Sequence, residues 1–171
     1  MANVVTAVRL FLVIPFAFCM AQSDAHHAAL AALCMAVALI TDFADGPIAR
    51  RTGTVTGLGG TFDHFSDFLF VTSGLFAGAF CGVFPWILPI LITVAFTQYA
   101  IDSYWIHRQG ALRGSRLGRY NGILYFVPLC MEILIRLGLQ FLHPVLLVLC
   151  WLLVLSTIIS IGERLLLSWG A

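Results

Sequence analysis

Four of the eight acidic residues in this 171-residue chain fall between positions 42 and 67. Asp42 and Asp45 are three positions apart, and Asp63 and Asp67 are four apart, so on helices each pair shares a face. Two adjacent antiparallel helices would then turn four carboxylates into one cleft. Acidic side chains at membrane depth are costly and mark functional sites, and four together repel one another unless a cation neutralises them. Hard oxygen donors select Mg²⁺, Mn²⁺ or Ca²⁺ over zinc or copper. A site of that kind suits phosphoryl or pyrophosphate chemistry, in which metals hold phosphates and stabilise developing charge. The plainer alternative is that these acids cap helices or pair with Arg50 and Arg51. It explains a single aspartate at a helix end far better than four at this spacing.

The residues between the two pairs point to a phosphate-bearing ligand. Gly46 follows Asp45 directly and leaves room for close approach. Arg50 stands about one turn further on and can pair with phosphate. The link from Arg51 to Gly60 holds Gly53, Gly57, Gly59 and Gly60. It can fold tightly over a nucleotide, although a plain flexible turn is the commoner use of such a link.

The elements that must carry these residues are greasy. The chain is 61% hydrophobic and 10% charged, with mean hydropathy +1.00, where a soluble domain is usually about 25% charged. This composition predicts an all-α integral membrane protein. Six apolar segments, each near the roughly 20 residues a bilayer needs, run over 4–20, 28–41, 61–84, 85–107, 120–137 and 144–167. They leave no room for a second domain, so 1–171 reads as one membrane domain. The N-terminal segment is expected to be a retained helix and not a cleaved leader. Arginines gather in the links after the second segment (Arg50, Arg51) and the fourth (Arg108, Arg113, Arg116, Arg119), which places those links, both termini and the active-site cleft on the cytoplasmic side. Arg136 lies on the wrong side in this scheme. A formal net charge of +1 gives no footprint for nucleic acid. The five cysteines, scattered through apolar stretches, read as small buried hydrophobes and form no metal or disulfide framework.

The stretch from Asp42 to Arg50, followed by Gly59, Asp63 and Asp67, resembles the signature D-x2-D-G-x2-A-R-x8-G-x3-D-x3-D of the CDP-alcohol phosphotransferase family at every fixed position. Asn3, Thr6 and Arg9 resemble the N-x2-T-x2-R opening of many members. The resemblance implies transfer of a phospho-alcohol group from a CDP-linked donor, CDP-diacylglycerol above all, to a hydroxyl acceptor with release of CMP. It implies that Asp42, Asp45, Asp63 and Asp67 bind two divalent cations, Mg²⁺ or Mn²⁺, and that Asp67 is also the general base. It places Asn3, Thr6, Gly46, Arg50 and Thr56 on the CDP portion, with Ala49 and Gly59 allowing close packing. It further implies a homodimer, here in the cytoplasmic membrane of a prokaryote. Pro47, inside the second helix at a variable motif position, should bend that helix.

The acceptor is less legible. Arg108, Arg113, Arg116 and Arg119 beside the active face are candidates to hold an anionic acceptor. A cytoplasmic flank against anionic lipid explains the group as a whole somewhat better. Phe68 stands where many glycerophosphate and cardiolipin synthases of the family carry Lys, and the run after it lacks the Pro of serine-transferring members. Glycerol 3-phosphate is the leading expectation; phosphatidylglycerol, inositol phosphate and serine are the alternatives. Among weaker candidates, Asp102 is expected to pair with a nearby Arg, Glu132 to pair with Arg136, and His64 to be solvated. Trp86 and Trp105 fit an interfacial belt. A divalent-cation transporter and a non-catalytic scaffold are the competing classes. A transporter needs carboxylates spread through the bilayer depth, and a scaffold has no use for four uncompensated ones.

Overall fold

Helix boundaries in this chain follow local chemistry. The computed structural model describes residues 2–52, 57–106 and 116–169, with side chains for 7–41, 64–101, 117–118 and 120–166. Among the described residues the fold is all helical: α1 (Ala2–Met20), α2 (Ala25–Thr52), α3 (Gly57–Phe80), α4 (Ile87–Ile106), α5 (Arg116–Leu124), α6 (Phe126–Arg136), a 3₁₀ turn (Gln140–Leu142) and α7 (His143–Trp169). The expected order of six segments is recovered, with the fifth split into α5 and α6. The split falls just before Pro128, whose ring excludes the carbonyl of residue 124 and which has no N–H to donate to it. Pro47, by contrast, leaves α2 as one continuous helix.

Two glycines end helices at one side of the bundle. Gly82 (φ 76°) follows α3 and Gly138 (φ 117°) follows α6. In each case the two characteristic closing bonds form: Gly82 N–H to Ala79 O at 3.0 Å and Val83 N–H to Gly78 O at 2.9 Å, then Gly138 N–H to Ile135 O and Leu139 N–H to Leu134 O, both at 3.0 Å. A left-handed residue is needed there, which glycine supplies without steric cost. At the same side Asp24 starts α2, its Oδ2 accepting the His27 backbone N–H at 3.1 Å. That bond, with the His27 side-chain contact, holds the Asp24 carboxyl below the usual carboxylate range.

α1 is the central element, packed against both α2 and α3, while α6 closes on α2 and α3 and α7 spans α4, α5 and α6. Phe16 of α1 and Phe70 of α3, both fully buried, stack with ring centroids 4.2 Å apart. Gly74 admits them, because a Cβ there would lie 2.5 Å from Phe16 Cε1 and 3.0 Å from Leu129 Cδ2. α7 is tied to its neighbours by polar bonds: Tyr125 Oη to Thr157 Oγ1 at 2.8 Å, and Ser156 Oγ to Asn121 Oδ1 at 2.7 Å.

Arg136 explains its own awkward position. It is buried and donates from Nε to Glu132 Oε1 at 2.8 Å, the i,i+4 pairing expected from sequence. It also donates to the carbonyls of Cys19 (3.1 Å), Met20 (2.8 Å) and Gln22. These are carbonyls at or just beyond the C-terminus of α1, where a cation also meets the negative end of the helix dipole.

The stretch Gln140–Leu166 is helical, long enough and apolar enough to cross a membrane, and shorter apolar helical stretches cover Ala7–Met20, Ala25–Thr41 and Ile87–Ile101. Val145, Leu152, Leu155 and Leu166 point outward from α7 and are exposed. An all-helical fold with an apolar exterior is consistent with a membrane protein. The cysteines are free. Cys19 and Cys150 are buried as expected, but Cys81 departs from the expectation: it is exposed in the turn after α3, with Sγ 3.1 Å from the Ala21 carbonyl.

Candidate active site

The last motif aspartate is held by the first helix. Arg9, on α1, is 1% exposed and its Nη1 donates to Asp67 Oδ1 on α3 and to Ser66 Oγ, the latter at 3.2 Å. Such a guanidinium so far inside an apolar bundle is tolerated only when paired and hydrogen-bonded. The Asp67 side chain is 28% exposed. One carboxylate oxygen therefore faces a buried cation while the group as a whole is still partly exposed. Arg9 fixes its orientation, and Ser66 fixes Arg9.

Helix topology gathers the other motif positions at this end. α1 and α2 are joined by a short link and run antiparallel, so the C-terminal part of α2 lies alongside the start of α1. α2 carries Asp42, Asp45, Gly46, Ala49 and Arg50, α3 carries Gly59 and Asp63 as well as Asp67, and α1 carries Asn3 and Thr6. The side chains of Asn3, Thr6, Asp42, Asp45, Arg50 and Asp63 lie outside the described residues, as do Thr56, Arg108 and Arg113 altogether. Arg116 and Arg119 belong to α5 and Asp102 and Trp105 to α4, again without described side chains.

A second group of polar residues flanks this end from α4, α5 and α7. His64, one turn before Asp67, is exposed as expected and meets the Tyr99 ring edge-on at 6.4 Å. The Arg164 guanidinium sits 5.1 Å from the centroid of that same ring, a cation–π distance. Gly118 makes space for it, since a Cβ there would stand 3.2 Å from both Arg164 Nη2 and Ser160 Oγ. Gln98 Nε2 donates to the Ile161 carbonyl at 3.4 Å. Arg164 was not among the candidates drawn from sequence. The available signal was an arginine near the end of the last apolar segment, beside Glu163 and four residues beyond Ser160, so on the same helix face as that serine. Arg9 was singled out by spacing, but its partner was not foreseeable, because the two lie 58 positions apart.

Beside this cluster, apolar grooves open outward. One of about 450 Å³ lies between α3 and α4 and is lined by Phe65, Phe68 and Phe96 with Thr93, Thr97 and neighbours. Phe68 and Phe96 stack at 4.0 Å. Asp67 is not part of its wall. Trp86, exposed at the opposite end of the same helix pair, packs on Phe80 at 4.8 Å.

The sequence matches the family model for CDP-alcohol phosphatidyltransferase over residues 1–161. It is also similar to a protein named "Probable phosphatidylglycerophosphate synthase" in Mycobacterium tuberculosis, in strains CDC 1551 / Oshkosh and ATCC 25618 / H37Rv. Each is 27% identical over 137 residues, covering 78% of this chain and 66% of the relative. The chain thus spans just under two thirds of the length of these relatives.

Proposed function

The chain belongs to the CDP-alcohol phosphatidyltransferase family, and from that premise we propose that it transfers a phosphatidyl group from CDP-diacylglycerol to a hydroxyl acceptor, releasing CMP. The observation that carries the reading is the pairing of Arg9 with Asp67, which orients the last motif carboxylate at the end of the bundle that also holds Asp42, Asp45 and Asp63. An all-oxygen donor set of four aspartates fits hard divalent cations. Asp42, Asp45, Asp63 and Asp67 would hold two such ions, Mg²⁺ or Mn²⁺, which supply neutralisation of pyrophosphate charge and of the departing CMP.

The remaining chemistry is that of the chain's own groups. Gly46, Arg50 and Thr56, with Asn3 and Thr6 from α1, receive the CDP portion. Asp67 takes the proton of the acceptor hydroxyl as its oxygen attacks the lipid-bearing phosphorus. The new P–O bond forms as the bond to the CMP phosphate oxygen breaks. Arg9 keeps the Asp67 carboxylate aimed for that step. Glycerol 3-phosphate is the acceptor, a reading supported by the printed name of the mycobacterial relatives. Arg108, Arg113, Arg116 and Arg119 are the cations proposed to meet its phosphate, and Arg164 adds a further charge at the same end. The protein is a single membrane domain of six spans, with both termini and the cleft cytoplasmic, in the cytoplasmic membrane of a prokaryote, and it works as a homodimer.

The test is CMP release from CDP-diacylglycerol by protein in lipid nanodiscs, with Mg²⁺ or Mn²⁺, over a panel of glycerol phosphate, inositol phosphate, serine and phosphatidylglycerol. Release with glycerol phosphate is expected, and release with a different acceptor alone would correct the acceptor. No release with any of them would overturn the transferase reading. Asp67→Asn should abolish turnover while CDP-diacylglycerol still binds; full activity in that variant would remove Asp67 as base.

A further inference from the structure

The end of the bundle opposite Asp67 carries a second set of metal-type ligands with different chemistry. Asp24, His26 and His27 lie at the start of α2, and one ligand atom from each falls within 4.8 Å of the others. Asp24 Oδ1 and His27 Nδ1 are 2.6 Å apart, and the His26 and His27 rings meet edge-on with centroids 5.5 Å apart. Cys81 Sγ touches the Ala21 carbonyl in the same turn region, so this end lies at the finish of α3. Fourteen residues separate Asp67 from Cys81, which at 1.5 Å per helical residue is about 21 Å. No side chain here can reach the motif carboxylates.

We infer that Asp24, His26 and His27 form a solvent-facing site for a borderline transition cation of the Zn²⁺ type. Two imidazoles and one carboxylate suit Zn²⁺, whereas Mg²⁺ prefers oxygen alone. Three protein ligands leave positions for water, as the exposure of Asp24 and His26 permits. The required movement is small. Ligand atoms bound at about 2.0–2.1 Å stand roughly 3–3.5 Å apart around one ion. The Asp24–His27 pair must therefore open by about half an ångström, and exposed His26 must swing inward. The metal takes the place of the proton between Oδ1 and Nδ1. Asp24 Oδ2 stays on the His27 backbone N–H at 3.1 Å, so the start of α2 need not unwind. His27 also meets Phe18 of α1 edge-on at 5.8 Å. Its ring is thereby restrained between two helices, and an ion on it would brace the α1–α2 turn.

The experiment uses tag-free full chain in nanodiscs, with the motif site saturated by Mg²⁺. Zn²⁺ alone is titrated by calorimetry, and Cu²⁺ is used as a spectroscopic probe. One equivalent should bind, with Cu²⁺ showing superhyperfine coupling to two imidazole nitrogens. His26→Ala changes an exposed side chain and should weaken Zn²⁺ binding by more than about tenfold, judged against the 10- to 100-fold losses typical even of outer-shell changes. His27→Ala should do the same, while His143→Ala, at the same end of the bundle, should leave binding unchanged. Unaltered binding in the His26→Ala, His27→Ala double variant, or no saturable Zn²⁺ binding in the parent, would overturn the site. Neither result bears on CMP release, so the transferase reading is tested separately.

Discussion

Replacing Arg136 by Met should be the most damaging single change remote from the proposed chemistry. The side chain is 6% exposed and its partner Glu132 is 7% exposed. The substitution keeps the stem's volume but removes the charge and every donor. Glu132 is left as a buried carboxylate without its cation, and the carbonyls of Cys19, Met20 and Gln22 lose theirs. Breaking a buried ion pair by removing one partner costs about 3–5 kcal/mol. At roughly 2–4 °C per kcal/mol for a chain of this size, the melting temperature should fall by about 10 °C. The assay is intrinsic tryptophan fluorescence on heating in nanodiscs. A second variant, Glu132→Leu with Arg136→Met, removes both charges and should recover part of the loss, since a buried pair replaced by apolar groups is often close to neutral. Recovery should be incomplete, because the α1 carbonyls remain without a donor. A single variant melting within about 2 °C of the parent, below what 1 kcal/mol would produce, would refute the clamp. A double variant no better than the single would show that Glu132 is not the stranded group.

Two further changes test the packing. Gly74→Ala places a methyl 2.5 Å from Phe16 Cε1 and 3.0 Å from Leu129 Cδ2, both fully buried, and overpacking of this kind should lower stability by about 1–3 kcal/mol; unchanged thermal unfolding would mean that the Phe16–Phe70 stack yields freely. Tyr125→Phe removes the 2.8 Å bond to Thr157, while Thr157 keeps its own bond to the Leu153 carbonyl at 2.6 Å. The loss should be about 1 kcal/mol, read by the same melt, and a loss several times larger would indicate that the hydroxyl serves more than this one contact.

Much of this could be inferred from residue order, and the reasons for the exceptions are physical. Helical segments were visible because a bilayer-length apolar run has few alternatives. The division at Tyr125 was hidden because Pro128 lies inside a continuous apolar stretch and interrupts the helix without a change in hydropathy. The Glu132–Arg136 bond was legible because i,i+4 pairs are set by helix geometry alone. The same arginine's three carbonyl contacts were not, because they are made to residues 114 to 117 positions away. Motif spacing identified Asp67, but only the crossing of α1 over α3 brings Arg9 to it. Cys81 was misjudged as buried because apolar neighbours in sequence say little about a turn that closes at the bundle end.

Burial also changes how the charges should be counted. Arg136 stood against the proposed orientation when every arginine carried equal weight. Inside the fold it is bound to Glu132 and to helix carbonyls, so it presents little free positive charge to either membrane surface. Arg9 is likewise enclosed, on Asp67. Subtracting these two from the nine basic residues leaves Arg50, Arg51, Arg108, Arg113, Arg116, Arg119 and Arg164. The first two close α2, the next four occupy the α4–α5 link and the start of α5, and Arg164 meets α3 through Tyr99 and His64. Among the described residues, the helix positions of Arg50, Arg51, Arg116, Arg119 and Arg164 therefore fall toward the end that holds the four aspartates. The positive-inside rule depends on cations that remain in the flanking water and headgroups. On the proposed reading, in which the aspartate end faces the cytoplasm, an Arg136 bound to Glu132 and to helix carbonyls is therefore no exception to that rule.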